Sequence, residues 1–580
     1  MKFSIQFSES TVKPIKNSFR VMSLNKTASF FIIALSTLSF VADGLALVSV
    51  VPIFQIIQTG ELNRSSNIIN SFFLGISDLL AIELTVVSLL ALATIFFALK
   101  IVLKLIADLG TAVVTSAFGT KLRFRLLSAI TAAEWQYFKT QSVGQFANAL
   151  TIEASKSQGI LRYGIELSFA VIQFFVLSAF ALTLSWKLAV LFFIAAMVSA
   201  LLASPFYLFL KASVLRQSES YNKISATVID WLNGIKPAKA MNINMSAGVI
   251  LGENFNSLNR ANIHQAAAKS VLRHVIEFLG VITIVGSIIV NVVYINVEIT
   301  LISGSILLFY RAVGVLNTAQ GVVQSLINCD SFYSSLEKRL EQAETKAEKH
   351  LGVTKLESIK NIQFKKVSFA FGERTILADA NVVFNQGEIS LLVGPSGVGK
   401  STIVDLVAGL LLVDSGEILV NGVNLQQINM DHWRGKIGYV AQEMFLQNDT
   451  LRNNVLMGRE GVDDQAVIKA LHDAGLQSEI RLGYLDLDLW VGEKGVNLSG
   501  GQRQRVALAR GLAGQPKILI LDEFTSSMDS ETEKTILNQI KLMCDDMIVI
   551  LISHQSTLIP YADKIITVCD QKLHQETPSR

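Results

Sequence analysis

The 580-residue sequence predicts an α-helical transmembrane domain with six helices, followed by a soluble α/β domain. Hydrophobic residues make up 51% of the chain and charged residues 17%, below the roughly 25% usual in soluble domains. Long apolar runs dominate up to about residue 330, and an ordinary soluble composition follows from about residue 355. A chain of this length also exceeds one ordinary core, so two or more domains are expected.

Six stretches are apolar over the roughly 20 residues that a helix needs to cross a bilayer. They are residues 28–57, 80–107, 161–184, 187–210, 271–295 and 300–327. A soluble core of several helices that are apolar on every side is the disfavoured alternative. The short connections at 184–187 and 294–300 predict tight hairpins on one side of the lipid bilayer.

The connections on the other side are long and basic. They carry KLRFR at 121–125 and, further on, Lys211, Arg216, Lys223, Lys236 and Lys239. Because basic loops stay in the cytoplasm, we expect a multi-pass protein of the cell inner membrane with both termini and the second domain cytoplasmic. The connections 108–160 and 211–270 keep a helical period, so they are expected to extend the membrane helices into the cytoplasm.

These features predict four segments of the chain. They are a cytoplasmic N-terminal segment (1–27), the transmembrane domain (28–330), a linker (331–354) and the second domain (355–580). The formal net charge of +3 is too small to indicate a nucleic-acid partner.

Two acidic residues, Asp43 and Glu277, lie within predicted spans. Ionisable groups at such depths are costly and are functional candidates. The alternative is that each lies near water or pairs with a neighbouring polar group. For Asp43 we expect a position facing the transport pathway.

The second domain contains a glycine-rich loop between an apolar strand and a helix, in ISLLVGPSGVGKSTIVDLVAGLL. This context distinguishes a true P-loop from a chance match. The glycines allow successive N–H groups to point at phosphates, Lys400 supplies a charge to the β- and γ-phosphates, and the Ser401 hydroxyl binds Mg²⁺. The predicted nucleotide contacts of the loop are Gly394, Pro395, Ser396, Gly397, Val398, Gly399, Lys400, Ser401 and Thr402.

Three further strand ends supply candidate catalytic groups. In KILILDEFTSSMD, Asp522 is placed to hold Mg²⁺ and Glu523 to polarise the attacking water. His554 follows the strand VILIS and can donate to the γ-phosphate. Gln442 follows IGYVA and offers an amide to Mg²⁺ or to the water. An exposed loop start is the alternative for the acidic pair, and the P-loop upstream disfavours it.

The motifs GPSGVGKST, VAQ, LSGGQ, ILILDE, SSMD and ISH, in this order, resemble the ATP-binding cassette of ABC transporters. Six spans ahead of one cassette resemble an exporter-type half-transporter, similar to the bacterial group of lipid-linked oligosaccharide flippases and lipid and peptide exporters. The resemblance implies an α/β P-loop ATP-binding cassette domain that binds ATP and Mg²⁺.

The resemblance also assigns residues outside the P-loop. The LSGGQ residues Ser499, Gly500, Gly501 and Gln502 are implied to contact the γ-phosphate held by a second copy of the chain. Phe371 is implied to stack on adenine, and Asp529 to communicate between the two sites. Segments 134–148 and 226–240 occupy the places of cytoplasmic coupling helices, and 491–495 that of a segment touching the membrane domain's loops.

The resemblance implies an ATP hydrolase coupled to transport, working as a homodimer or a heterodimer. The expected function is export or flipping of an amphipathic cargo, with a lipid-linked oligosaccharide or a lipid favoured, out of the cytoplasmic leaflet. A peptide or drug exporter of the same fold is the alternative, and a non-transporting ATPase regulator is a more distant one.

Overall fold

The computed structural model describes residues 2–49, 52–53, 56–57, 68–80, 83–184, 186–242, 247–290, 299–349, 352–525 and 528–577. The chain divides into two compact units. The first comprises Met1–Ala133 and Tyr137–Ala347, and the second comprises Glu134–Gln136 and Glu348–Arg580.

Within the described residues, the first unit is built from eight helices of more than ten residues. They are α1 (Lys2–Leu24), α2 (Lys26–Val48), α3 (Ile68–Leu80), α4 (Val86–Thr131), α8 (Gly159–Leu184), α9 (Trp186–Asn233), α11 (Ala247–Val290) and α12 (Ile299–Thr345). The shorter helices are α5 (Trp135–Thr140), α6 (Val143–Asn148), α7 (Ala154–Ser157) and α10 (Ile235–Ala240), and a π-helical turn, Ala149–Glu153, joins α6 to α7.

Helices α2, α4, α8, α9, α11 and α12 contain the greater part of the six predicted spans. Four of them have 46, 48, 44 and 47 residues. At 1.5 Å per residue these helices are about 66–72 Å long, roughly twice what a bilayer core requires. The long connections therefore do extend the membrane helices. In the described part of the chain, the stretches Lys26–Val48, Val86–Thr131 and Val143–Ala179 are long and apolar enough to cross a membrane.

The structure differs from the sequence interpretation at three helices. Helix α1 forms in the N-terminal segment and α3 in the connection after the first span, although the sequence analysis assigns no helix to either. Helix α4 begins at Val86 rather than 80, because Thr85 and Ser88 form a reciprocal capping box there. The predicted hairpins at 184–187 and 294–300 fall on Ser185 and residues 291–298, outside the described residues.

The two predicted coupling segments differ from each other in form. Segment 134–148 contains the separate helices α5 and α6. Segment 226–240 contains the last turns of α9, followed by the short helix α10 after Gly234.

The second unit contains two sheets. Their strands are β1 (Asn361–Phe371), β2 (Arg374–Asn385), β3 (Ile389–Val393), β4 (Ser415–Val420), β5 (Val423–Asn424), β6 (Ile437–Val440), β7 (Ile518–Asp522), β8 (Ile548–Ile552), β9 (Lys564–Cys569) and β10 (Lys572–Glu576). One sheet has the order β2-β1-β4-β5 with antiparallel pairing. The other has the order β10-β9-β3-β8-β7-β6, in which only β10 is antiparallel to its neighbour.

The helices of the second unit flank and connect these strands. They are α13 (Lys400–Val407), α14 (Met430–Gly435), α15 (Leu451–Leu456), α16 (Asp464–Asp473), α17 (Gln477–Arg481), α18 (Gly500–Ala513) and α19 (Ser530–Met543).

The central strands are buried on both faces. Along β7, Ile518 and Ile520 belong to one hydrophobic core, while Leu519 and Leu521 belong to another. Because successive side chains of a strand point to opposite faces, a strand covered on both sides must be apolar at every position. This explains the continuous apolar runs that precede the polar motifs.

The strand order determines where those motifs meet. Strands β3, β8, β7 and β6 are consecutive parallel neighbours. Their carboxyl ends therefore lie along one edge of the sheet, which is where ligands bind in such folds. The P-loop follows β3, and His554 follows β8. Asp522 ends β7, Glu523 follows it, and Gln442 follows β6.

Candidate nucleotide-binding site

The P-loop backbone requires glycine at two positions. Gly394 has φ of 152° and Gly399 has φ of 114°, and both values disfavour residues with a Cβ. A Cβ would also meet the Val568 carbonyl oxygen at 2.6 Å from position 394, and Ile376 at 2.4 Å from position 399. The loop leads into the N-terminus of α13, where backbone N–H groups and the helix dipole favour a phosphate.

Lys400 lies over this loop. Its Nζ donates to the carbonyl oxygens of Gly394 at 2.8 Å and Pro395 at 3.0 Å. It also lies 3.1 Å from His554 Nε2. Burial lowers the pKa of Lys400, and the charges of Glu523 and Asp522 act in the opposite direction. A buried ammonium whose hydrogen bonds go to neutral carbonyl oxygens is suited to an anionic ligand.

Asp522 and Ser401 form the oxygen pair predicted to hold a metal ion. Ser401 Oγ donates to Asp522 Oδ2 at 3.4 Å. Burial raises the pKa of Asp522, and the neighbouring Glu523 carboxylate raises it further. A hard divalent cation would relieve this penalty, and carboxylate and hydroxyl oxygens are the ligands that Mg²⁺ prefers. The donor set therefore fits Mg²⁺.

Glu523 links the groups from the other strand ends. Its Oε2 accepts a 2.6 Å hydrogen bond from Gln442 Nε2, and its Oε1 lies 3.1 Å from His554 Nε2. Its backbone has φ of 48°, an unusual conformation for a residue that is not glycine. The backbone N–H donates to the Ile552 carbonyl at 3.0 Å. The acid is thus held with its carboxylate between an amide and an imidazole.

The signature residues have local partners. Ser499 Oγ accepts from the backbone N–H of Gln502 at 3.2 Å, and the Gln502 side chain accepts from the backbone N–H of Ser499 at 2.9 Å. This reciprocal capping box begins α18. Ser499 is exposed, so the N-terminal end of α18 is accessible from outside the chain.

Asp529 likewise acts as a helix cap. Its carboxylate accepts from the backbone N–H groups of Glu531 at 3.2 Å and Thr532 at 2.9 Å, and from the Thr532 hydroxyl at 2.7 Å. The hydrogen bond from the Thr532 backbone is the main reason that the pKa of Asp529 is lowered. Here the structure adds a local role that the sequence analysis did not consider.

Two residues of the β1–β2 hairpin lie on the rim of the site. Phe371 ends β1, is 36% exposed and packs edge-to-face on Phe369 with ring centroids 4.9 Å apart. Arg374 Nη2 donates to the Gly397 carbonyl of the P-loop at 3.3 Å. Arg374 was not predicted as a site residue, although its position three residues after the predicted adenine-stacking aromatic could have indicated it.

The structure thus joins Lys400, His554, Glu523 and Gln442 through direct contacts. The adjacent residues Ser401 and Asp522 contact each other. A family model described as the ABC transporter transmembrane region matches residues 32–315, and one described as ABC transporter matches residues 377–526. The chain belongs to the ABC transporter family. The two matches confirm the prediction of a helical transmembrane domain followed by an ATP-binding cassette.

Several relatives of this ABC transporter are known. An uncharacterized ABC transporter ATP-binding protein of Bacillus subtilis is 36% identical over 37% of this chain and 38% of its own length. The ATP-dependent lipid A-core flippase of Pasteurella multocida is 28% identical over 77% of this chain and 78% of its own. A multidrug resistance ABC transporter ATP-binding and permease protein of Lactococcus lactis is 26% identical over 78% of both.

A solved structure shows the same fold. The structure of a bacterial Atm1-family ABC exporter with ATP bound matches with a TM-score of 0.79 and covers 96% of both chains at 18% identity. This ABC transporter is therefore a membrane protein with the exporter fold, in which one transmembrane domain precedes one cassette. As an ABC transporter it binds ATP and couples ATP hydrolysis to transport.

Proposed function

We propose that two copies of this half-transporter form an exporter or flippase that moves an amphipathic cargo out of the cytoplasmic leaflet. The chain has one P-loop and one signature segment. The side chains of Ser499 and Gln502 each accept a hydrogen bond from the other residue's backbone N–H. The exposed N-terminal end of α18 is a ready anion site. The observation that carries the proposal is this accessible helix end, which suits the γ-phosphate bound by a partner chain.

Within each site, different residues of the chain bind ATP, orient it and polarise the attacking water. Lys400 and the P-loop amides bind and orient the β- and γ-phosphates, and Phe371 stacks on the base. Glu523 polarises the attacking water, with its carboxylate oriented by Gln442 and His554. Mg²⁺, held by Ser401, Asp522 and Gln442, would neutralise charge on the transferred phosphoryl group. Asp529 lies at the start of α19, where it would link one site to the other.

The cargo is proposed from relatives and from the membrane unit. A flippase of lipid A-core aligns over most of this chain, so a lipid or a lipid-linked oligosaccharide is favoured. The aligned multidrug resistance relative favours a drug exporter as the second candidate. The basic connections support a cytoplasmic cassette and cytoplasmic termini for a chain in the inner membrane.

A charged cluster in the membrane unit supports an anionic headgroup on the cargo. Asp43 lies 2.7 Å from Lys100 Nζ and 2.5 Å from Arg311 Nη2, joining α2, α4 and α12. The sequence analysis left open whether Asp43 pairs with a neighbour, and in this structure it does. One carboxylate against two cations leaves a surplus positive charge, which favours an anion at this depth.

The second intramembrane acid is less constrained. Glu277 lies 3.8 Å from Arg273, one turn earlier on α11, and its side chain is 50% exposed. This geometry is an ion pair between residues four apart on one helix face, at the surface of the membrane unit. We assign no cargo contact to Glu277.

The proposal is tested by reconstituting the full-length protein in lipid nanodiscs and vesicles. ATPase activity and outward movement are measured with a polyprenyl-pyrophosphate-linked oligosaccharide, a phosphorylated glycolipid, a peptide and a lipophilic drug. We expect at least twofold stimulation, with ATP-dependent movement, for the first two. Stimulation by the peptide or the drug alone would move the assignment to the second candidate. No movement of any of them would contradict the proposed function.

A further inference from the structure

Helix α12 carries four carboxamide side chains on one face. Asn317, Gln320, Gln324 and Asn328 are spaced by three, four and four residues, so they form a continuous stripe along the helix. We call these four residues the amide stripe. Each has a buried side-chain oxygen without a hydrogen-bond partner among the described residues. Gln320 and Gln324 are each 9% exposed.

The amide stripe does not face the main core of the membrane unit. Val322 and Leu326 belong to that core and lie roughly 160° around the helix from the centre of the stripe. Ile327 lies only about 20° from Gln320. It packs on Leu272 and Ile276 of α11. The stripe is therefore next to the seam between α12 and α11.

Carboxamides across the neighbouring seam do find partners. Gln217 of α9 donates to Asn262 of α11 at 2.7 Å and accepts from Gln265 of α11 at 3.2 Å. The contacts between α9 and α11 thus satisfy their amides by direct pairing. The stripe on α12 differs, because its four oxygens are buried without such pairing to any residue that the structure describes.

Four unpaired buried acceptors on one stripe need a physical reason. A buried polar group without a partner costs its full desolvation, whereas an apolar side chain of similar size would not. The cost disappears in a state that gives the amides hydrogen-bonding partners. A carboxamide carries no charge and both donates and accepts, which matches hydroxyl groups better than it matches ions.

We propose that the amide stripe lines the cargo pathway in another state of the transport cycle and hydrogen-bonds an uncharged, hydroxyl-rich part of the cargo. A glycan attached to the lipid has this chemistry. The inference rests on the proposed function and deepens it, because it assigns the sugar portion of an amphipathic cargo to named residues. In that state the seam between α12 and α11 is open to water. The four amide oxygens, which have no partner among the described residues here, then accept hydrogen bonds from the cargo.

Cysteine accessibility tests the exposure of the amide stripe independently of any cargo. Cys329, Cys544 and Cys569 are replaced by serine or alanine, and single cysteines are introduced as Gln320→Cys and Gln324→Cys. Leu326→Cys, on the opposite face, is the matched control. Full-length protein in nanodiscs is treated with a water-soluble maleimide without nucleotide, with ATP and after trapping with vanadate. We expect the two stripe cysteines to react at least tenfold faster in one state than in another, and the control to stay protected. Protection of the stripe in every state, or parallel labelling of the control, overturns the proposal.

A second variant separates a cargo role from a structural one. In the double variant Gln320→Leu with Gln324→Leu, the unpaired amides are removed, so the unfolding temperature should equal or exceed that of the wild type. Stimulation by a polyprenyl-pyrophosphate-linked oligosaccharide, relative to each protein's own basal rate, should need at least fivefold more ligand. Stimulation by the polyprenyl pyrophosphate without its glycan should shift less than twofold.

The outcomes distinguish the two proposals. A lowered unfolding temperature with equal shifts for both ligands would make the stripe a structural feature and overturn its cargo role. If no lipid-linked compound stimulates the wild type, the proposed cargo fails. The maleimide experiment then still decides whether the stripe reaches the aqueous pathway.

Discussion

Replacing Glu523 by glutamine removes one charge and little else. Glutamine has the same length and branching, so it can occupy the same backbone conformation, with φ of 48°, about as well as glutamate. Its amide oxygen can still accept from Gln442, whose Nε2 lies 2.6 Å from Glu523 Oε2. The variant therefore isolates the carboxylate's effect on the attacking water.

In this variant we expect ATP hydrolysis to fall while ATP binding is retained. Loss of a positioned general base typically costs 10²–10⁴-fold, about 2.7–5.4 kcal/mol of transition-state stabilisation. ATP binding should persist, because the contacts of Lys400 with the P-loop carbonyls are unchanged. Glu523 also raises the pKa of Asp522, so its neutralisation should lower that pKa and keep Asp522 charged for Mg²⁺.

The assay measures ATP turnover and ATP affinity on purified protein in nanodiscs. Glu531→Gln is the matched control, since this exposed acid lies in the first turn of α19, away from the contacts of Glu523. We expect turnover to fall at least 100-fold in Glu523→Gln, with ATP affinity within about threefold of the wild type, and wild-type turnover in the control. Turnover of Glu523→Gln within threefold of wild type would refute the assignment of the base.

Three other variants test the remaining parts of the site and of the membrane unit. Lys400→Ala should weaken ATP binding measured by calorimetry, because its charge contacts phosphates in the ground state as well; since burial lowers the pKa of Lys400, wild-type affinity should also decline on the alkaline side below pH 10.5. Unchanged affinity in Lys400→Ala would contradict this role. Ser499→Arg should block hydrolysis while the same chain still loads ATP, and mixing it with Lys400→Ala chains should restore part of the activity, because one site of the heterodimer then has no lesion. Absence of recovery in verified heterodimers would oppose action in trans. Asp43→Asn should lower the free energy of unfolding of the membrane unit by about 1–3 kcal/mol, because Lys100 and Arg311 lose their shared carboxylate. Adding Arg311→Gln should cost less than the sum of the two single changes, and strict additivity in this double-mutant cycle would argue against the ion pair.

The nucleotide site was accessible from sequence because its signals are local. Each functional side chain directly follows an apolar strand, as Glu523 follows ILILD and His554 follows VILIS, so a short segment specifies both the element and the residue at its end. Parallel strands bring such ends to one edge, and the observed order β3-β8-β7-β6 makes them neighbours. The glycines of the P-loop are likewise required by the backbone angles of the loop itself.

In the membrane unit, the contacts between helices could not be predicted from the sequence. Its six spans follow from hydropathy, because the bilayer sets the length of an apolar helix whatever its neighbours are. Hydropathy carries no information on which helix packs on which. Asp43 meets Arg311 across 268 residues of sequence, and the cations of α4 and α12 were not singled out from their apolar surroundings.

The amide stripe also combines a feature visible in the sequence with one that only the structure shows. Its spacing is visible in the sequence, but an exposed and a buried stripe have the same spacing. Only the packing of α12 on its neighbours shows that four amide oxygens are buried without partners in the described part of the chain. Sequence alone predicted the six membrane helices, the strands that precede the nucleotide-site motifs and the family, because consecutive residues encode them. The tertiary structure decided which polar groups of distant helices are paired and which are not, because burial and pairing depend on contacts between segments far apart in the chain.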